Sequence, residues 1–236
     1  MKKILLTPVL LLVTLSLFAE VSNSEKQALV DLYIATNGEN WTNTWDLNEA
    51  VSTWHGVTVT NDKVTGISLL FNNMHGELPV SLGSLTHLTK LELSFNQLSG
   101  QIPASLGNIT GLKILAFNGN NLEGFIPESL GNIATLEELH LSSNQLTGVI
   151  PQTIGNLTNL TVLNVFDNNL KGAIPANLVF NQNLKQLIIA ENNIEQSDAF
   201  AGILLFEGSK NPQFKKPVIT PVSKTVIAIE TNDDEN

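Results

Sequence analysis

Residues 64–183 write one 24-residue pattern five times, with no insertion between copies. The clearest copies are LTKLELSFNQLSGQIPASLGNITG (88–111), LKILAFNGNNLEGFIPESLGNIAT (112–135) and LEELHLSSNQLTGVIPQTIGNLTN (136–159). A degraded copy at 64–87 precedes them, and LTVLNVFDNNLKGAIPANLVFNQN (160–183) follows. A sixth copy starts at Leu184 and loses its pattern after Ile194. No other feature constrains the fold as much. A unit this short cannot bury its own apolar side, so each copy must stack on its neighbours.

Each column of the repeat has a physical job. The apolar pairs Leu91/Leu93, Leu115/Phe117, Leu139/Leu141 and Leu163/Val165 alternate with other residues, which predicts a short strand with one buried face. The asparagine column is unbroken: Asn72, Asn96, Asn120, Asn144, Asn168 and Asn192. A buried amide there satisfies backbone groups that a tight corner leaves unpaired, and stacked copies form a ladder. Gly76, Gly100, Gly124, Gly148 and Gly172 fit turns of positive φ or close backbone approach. Pro79, Pro103, Pro127, Pro151 and Pro175 are expected to hold the return segment extended.

The spacing L-x-x-L-x-L-x-x-N-x-L is the leucine-rich-repeat signature. With G-x-I-P-x-x-L-G-N-L appended, it resembles the plant-type class of these repeats, which includes plant receptor ectodomains and polygalacturonase-inhibiting proteins. Trp54-His55-Gly56-Val57 resembles the W-x-G-V of their N-terminal caps, although Ser52 and Val59 stand where those caps carry cysteines. ALVDLYIATNGENW followed by VSTWHGV resembles the cap of secreted bacterial proteins with the same repeat, and the chain is read as such a member. The resemblance implies an α/β solenoid: a right-handed leucine-rich-repeat horseshoe with a parallel concave sheet and a short N-terminal helical cap. It says little about function, because the class binds many unrelated partners.

The chain divides accordingly. Residues 1–19 have Lys2 and Lys3 before an apolar run from Ile4 to Phe18, the pattern of a signal peptide with cleavage after Ala19. An uncleaved anchor is the alternative. Residues 20–63 form the cap. Within it, residues 24–36 are predicted helical, with a Ser24/Gln27 capping box, an apolar face of Ala28, Leu29, Leu32 and Tyr33, and a stop at Gly38. Trp41, Trp45 and Trp54 are expected to cover the open end of the solenoid, a sugar-stacking site being the alternative. Residues 57–60 and 64–69 read as strands around Asn61-Asp62. The solenoid spans 64–195, and 196–236 is read as a C-terminal cap and tail, with a short helix at 197–206 and a strand at 218–229.

Composition narrows the function. The formal charge is −10, and all twelve basic residues are lysine. No basic stripe exists to neutralise phosphates, which argues against nucleic-acid binding and against anionic membrane surfaces. There is no cysteine, so disulfides, thiolate metal sites, a cysteine nucleophile and a lipoprotein anchor are excluded. Of the four histidines, His55, His75, His87 and His140, only His140 falls on the predicted strand face. No catalytic or phosphate-loop spacing is present, and no Asp-rich calcium loop. The expectation is a non-enzyme without cofactor or metal.

Side chains alternate across a strand, so positions flanking the buried pair face the concave side. The middle position of each copy is Ser68, Glu92, Ala116, His140, Asn164 and Ile188. Two further columns precede the ladder asparagine: Leu70, Ser94, Asn118, Ser142, Phe166, Ala190, and Phe71, Phe95, Gly119, Ser143, Asp167, Glu191. These columns vary while the framework columns do not. Phe71, Phe95 and Phe166 are the expected contacts, with Glu92, His140, Asn164 and Asp167 as polar partners. Mutual covering of Phe71 and Phe95 beside the cap is the competing reading. The expected partner is an extracellular protein or polysaccharide, met by a secreted or cell-surface protein. An adhesin is one alternative. Ice binding is another, although its nearest ordered column, Thr86, Thr110, Ala134, Thr158 and Gln182, is broken.

Overall fold

The structure, a computed structural model, describes residues 21–195. The segments read above as signal peptide (1–19), capping helix (197–206) and tail strand (218–229) lie outside them. Helix α1 (Asn23–Ala35) opens the described chain. Its cap is Ser22, not Ser24. The Ser22 side chain accepts from the Glu25 amide and its hydroxyl donates to Glu25 Oε2 at 2.7 Å. The capping box is therefore Ser22/Glu25. The reason is tertiary: Glu25 is only 3% exposed, and its Oε1 accepts the amide of Val64 at 3.2 Å, at the start of the solenoid. The helix also ends at Ala35, one residue short of the predicted end at 36. Asn37 takes the left-handed conformation, at φ 60°, and Gly38 serves packing instead. A Cβ on Gly38 would lie 2.2 Å from the Tyr33 ring.

The hairpin of β1 (Val57–Thr60) and β2 (Lys63–Ser68) turns through Asn61 and Asp62, both at positive φ, as a two-residue hairpin requires. Thereafter each coil carries two short strands. They are β3 (His75–Glu77), β4 (Lys90–Glu92), β5 (Gln97–Ser99), β6 (Ile114–Ala116), β7 (Glu123–Phe125) and β8 (Glu138–His140). They continue as β9 (Gln145–Gly148), β10 (Val162–Asn164), β11 (Asn169–Ala173), β12 (Gln186–Ile188) and β13 (Asn193–Glu195). The even-numbered strands from β2 to β12 form a parallel sheet in an unbroken register, Ile67↔Leu91↔Leu115↔Leu139↔Leu163↔Leu187, with β1 at its antiparallel edge. That row is fully buried, so one aliphatic side chain per coil, Ile67 in the first and leucine in the rest, makes the spine of the core.

Two details of the return path differ from the expectation. The glycine column is not merely a turn: strands pair there into a second, lateral parallel sheet, β7-β9-β11-β13, beside the pair β3-β5, with Gln101 bridging Glu123 between them. Nor does the chain stay extended after each proline. A 3-10 helix begins at the next residue, at Val80–Ser84, Ala104–Asn108, Glu128–Asn132, Gln152–Asn156 and Ala176–Phe180. Proline suits the position before the helix, since its φ is preset and its missing N–H is not needed there. These helices stack closely: a Cβ on Gly107 would stand 2.5 Å from the carbonyl oxygen of Ser129 in the next coil.

The asparagine ladder supplies the polar counterpart. Asn120 Oδ1 accepts the Leu98 amide at 3.0 Å, and its Nδ2 donates to the Leu93 and Phe117 carbonyls at 3.1 and 3.0 Å. Asn96, Asn144, Asn168 and Asn192 repeat the arrangement in their own coils. At the first coil, the cap completes the ladder. The Asn43 amide donates to Asn72 Oδ1 at 2.7 Å, and the Thr42 amide to the Asn72 carbonyl at 3.0 Å. All three tryptophans are buried behind that junction. Their indole N–H groups donate to the carbonyls of Thr36, His55 and Asp46 at 2.9, 2.9 and 3.0 Å. Trp45 packs edge-on against Trp41 and stacks on Trp54, each at 4.8 Å between ring centres. No ring face is open for a sugar.

Candidate functional site: the concave sheet and its aromatic rim

The even-numbered strands from β4 to β12 are only three residues long, and this decides where the candidate residues stand. Glu92, His140 and Asn164 lie on the concave sheet, at the last residue of β4, β8 and β10. Phe71, Phe95 and Asp167 do not. Their column, expected on the strand, sits beyond its end at a corner where all six coils are left-handed. The φ values are 52° at Phe71, 59° at Phe95, 62° at Gly119, 52° at Ser143, 55° at Asp167 and 56° at Glu191. Apart from Gly119 and Asp167 these are residue types that avoid positive φ, so at the other four coils the stack imposes the conformation against residue preference.

The corner throws Phe71 and Phe95 outward. Their rings stack with centres 4.6 Å apart and planes within 5°, and they stay 65% and 47% exposed. They cover each other only in part. The next position is Gly119, where a Cβ would lie 2.8 Å from Phe95 Cδ1, so the ring leans over the bare backbone of the following coil. Leu70, also exposed, extends the patch.

The central sheet is polar and largely self-paired. Glu92 Oε2 accepts the Ser68 hydroxyl at 2.8 Å and pairs with Lys90 Nζ at 2.9 Å. His140 Nε2 lies 2.9 Å from Glu138 Oε2. Ala116 separates the two pairs in the register. Lys90 and Glu138 belong to a column that sequence reasoning passed over. Period-two alternation from Glu92 and His140 was the available signal. Ser94, Asn118 and Ser142, read as freely varying, are joined instead. The Asn118 amide donates to Ser94 Oγ at 3.1 Å, and Asn118 Oδ1 accepts from the Ser142 amide and hydroxyl at 3.0 and 2.9 Å.

The candidates therefore form two groups. Phe71 and Phe95 make one rim patch beside the cap. Asn164, Phe166 and Asp167 lie in a later coil, where the half-buried Phe166 donates its amide to Asn164 Oδ1 at 3.1 Å. Glu92 and His140 occupy the floor between them, two strands apart, or roughly 10 Å. The arrangement suits a ligand spanning several coils, not a small molecule held in a pocket. Among the described residues, no group of three or more His, Asp or Glu is placed to hold a metal ion, and no helix is long and apolar enough to cross a membrane.

The leucine rich repeat family model matches residues 86–146, 110–170 and 134–194 in overlapping windows. None of the curated protein sequences matches the chain significantly. Among solved structures, the PEPR1–AtPEP1 complex is similar at 31% identity and a TM-score of 0.68, over 73% of this chain and 25% of that one. The ectodomain of the Arabidopsis thaliana receptor kinase GASSHO1/SCHENGEN3, solved with Casparian strip integrity factor 2, gives 30% and 0.68, over 72% and 21%. A plant ice-binding protein gives 26% and 0.70, over 78% and 61%. The chain thus spans a quarter or less of the first two proteins and under two thirds of the third. With the geometry above, these likenesses make the fold a leucine-rich-repeat solenoid, with plant leucine-rich-repeat ectodomains among its structural neighbours.

Proposed function

We propose that the chain is a secreted, non-catalytic binding protein of bacterial origin, whose concave sheet and aromatic rim recognise an extracellular protein or polysaccharide. The observation that carries the reading is the Phe71–Phe95 stack: two large rings kept in water, on a rigid corner, beside a broad polar sheet. Aromatic side chains left exposed at fixed positions commonly mark binding hot spots. Phe166, Glu92, His140, Asn164 and Asp167 complete the contact set. Support for an extracellular setting comes from the signal-peptide pattern at 1–19 and from neighbours solved as receptor ectodomains.

Replacing Phe71 and Phe95 together with Ala should weaken partner binding by ~2 kcal/mol or more. The same variant should lose far less stability than Phe117→Ala, where a fully buried ring is removed at a cost of about 3–5 kcal/mol. Full affinity in the double variant, with binding lost on changing the convex 3-10 helices instead, overturns the reading. A glycan array run beside a protein pull-down separates the two partner classes and tests the adhesin alternative. Ice binding is the second reading, favoured by the likeness to the plant ice-binding protein. The column Thr86, Thr110, Ala134, Thr158 and Gln182 is exposed throughout, though only three members are threonine. Thermal hysteresis that falls on changing Thr110 and Thr158 to Lys, and is untouched by the Phe71/Phe95 change, would select it.

A further inference from the structure

The side of the solenoid carries a second apolar surface, separate from the concave face. The residue after each lateral glycine leans over the glycine of the next coil. A Cβ on Gly100 would lie 2.8 Å from Glu77 Cγ, one on Gly124 3.0 Å from Gln101 Cγ, and one on Gly148 2.5 Å from Phe125 Cδ1. Glu77, Gln101 and Phe125 therefore form a continuous ridge along the solenoid. A second ridge follows the prolines, and here Ala104 is small between Val80 and Glu128. The dip leaves a groove of about 580 Å³ across three coils. Leu78, Ile102 and Pro103 lie in it, and Val80 and Phe125 line it while 74% and 68% exposed. Its charged lining residues are the carboxylates Glu77 and Glu123, both exposed, and none of the lining residues is basic.

We infer that this groove docks a peptide segment bearing an apolar anchor next to a lysine or arginine. The volume falls in the range of sites that bury a side chain or small ligand. Two aliphatic or aromatic residues held in water across a depression provide the anchor site. The carboxylate rim and the chain's net charge of −10 select a cationic partner and penalise an acidic one.

The test is a random linear peptide library displayed on phage and panned on the full chain. Enriched peptides should pair Lys or Arg with an aromatic or branched apolar residue. Ala104→Trp fills the groove from an exposed position and should reduce affinity for a synthesised enriched peptide at least tenfold. Glu77→Gln with Glu123→Gln should reduce it severalfold and flatten its dependence on salt. The Phe71→Ala/Phe95→Ala variant should bind unchanged, which separates this surface from the concave one. No enrichment, enrichment without basic residues, or equal binding to Ala104→Trp with an unaltered melting temperature each overturns the inference.

Discussion

A single amide, repeated, does much of the polar work in this molecule. The Asn144 side chain accepts the Leu122 amide and donates to the carbonyls of Phe117, Leu141 and Ser142, in two different coils. Replacing it with Ala orphans the Leu122 amide, while the Phe117 and Leu141 carbonyls keep the neighbouring rungs Asn120 and Asn168. The expected cost is about 1–3 kcal/mol per orphaned group, read as a lowered midpoint in urea unfolding. The glycines of the 3-10 helices are judged by the same local reasoning. Gly107→Ala drives a Cβ into the Ser129 backbone, whereas Gly111→Ala meets nothing nearer than 3.7 Å. The first substitution should lower the melting temperature clearly and the second should leave it nearly unchanged. Equal effects would mean that the stacked helices are not tightly coupled.

At the scale of elements, the cap matters most. Helix α1, the tryptophan stack and the β1–β2 hairpin form one apolar plug over the first coil. The plug is pinned by Glu25 to Val64 and by Asn43 to Asn72. Removing residues 24–60 strips the first coil of that cover and leaves the edge of the concave sheet unpaired. Aggregation or loss of cooperative unfolding is expected, measured by light scattering and calorimetry. A soluble, cooperatively folding truncation would show that the plug is dispensable. The lateral sheet has two to three paired residues per strand pair, and it sets the ridges that bound the groove.

For the whole molecule, stacking is one-dimensional: each coil touches its neighbours and stability accumulates along the axis. A rigid curved sheet results, with side chains displayed in rows. That geometry favours extended partners over small ones. The export expected from residues 1–19 is checked by sequencing the N-terminus of secreted material. The chain should begin at or near Glu20, and recovery of intact Met1 in a membrane fraction would count against cleavage.

The solenoid, its register and its ladder were legible in the sequence alone. A fixed lag of 24 residues places identical environments one above another, so leucine, asparagine and glycine columns report their own packing. The paired strand residues around Asn61-Asp62 were legible for the same local reason. The corner was not. Phe71, Phe95, Ser143 and Glu191 have little preference for left-handed backbone, and Gly119 and Asp167, which tolerate it, are too few to mark the column; the neighbouring coils impose it. That conformation moves the aromatic pair off the sheet and onto its rim. The Ser22/Glu25 cap was likewise decided at long range, by the Val64 amide waiting for a carboxylate. The lateral groove has the same origin. It exists because the small Ala104 stands between Val80 and Glu128 beside the ridge of Gln101 and Phe125, and only the stacking of coils brings residues so spaced into one surface.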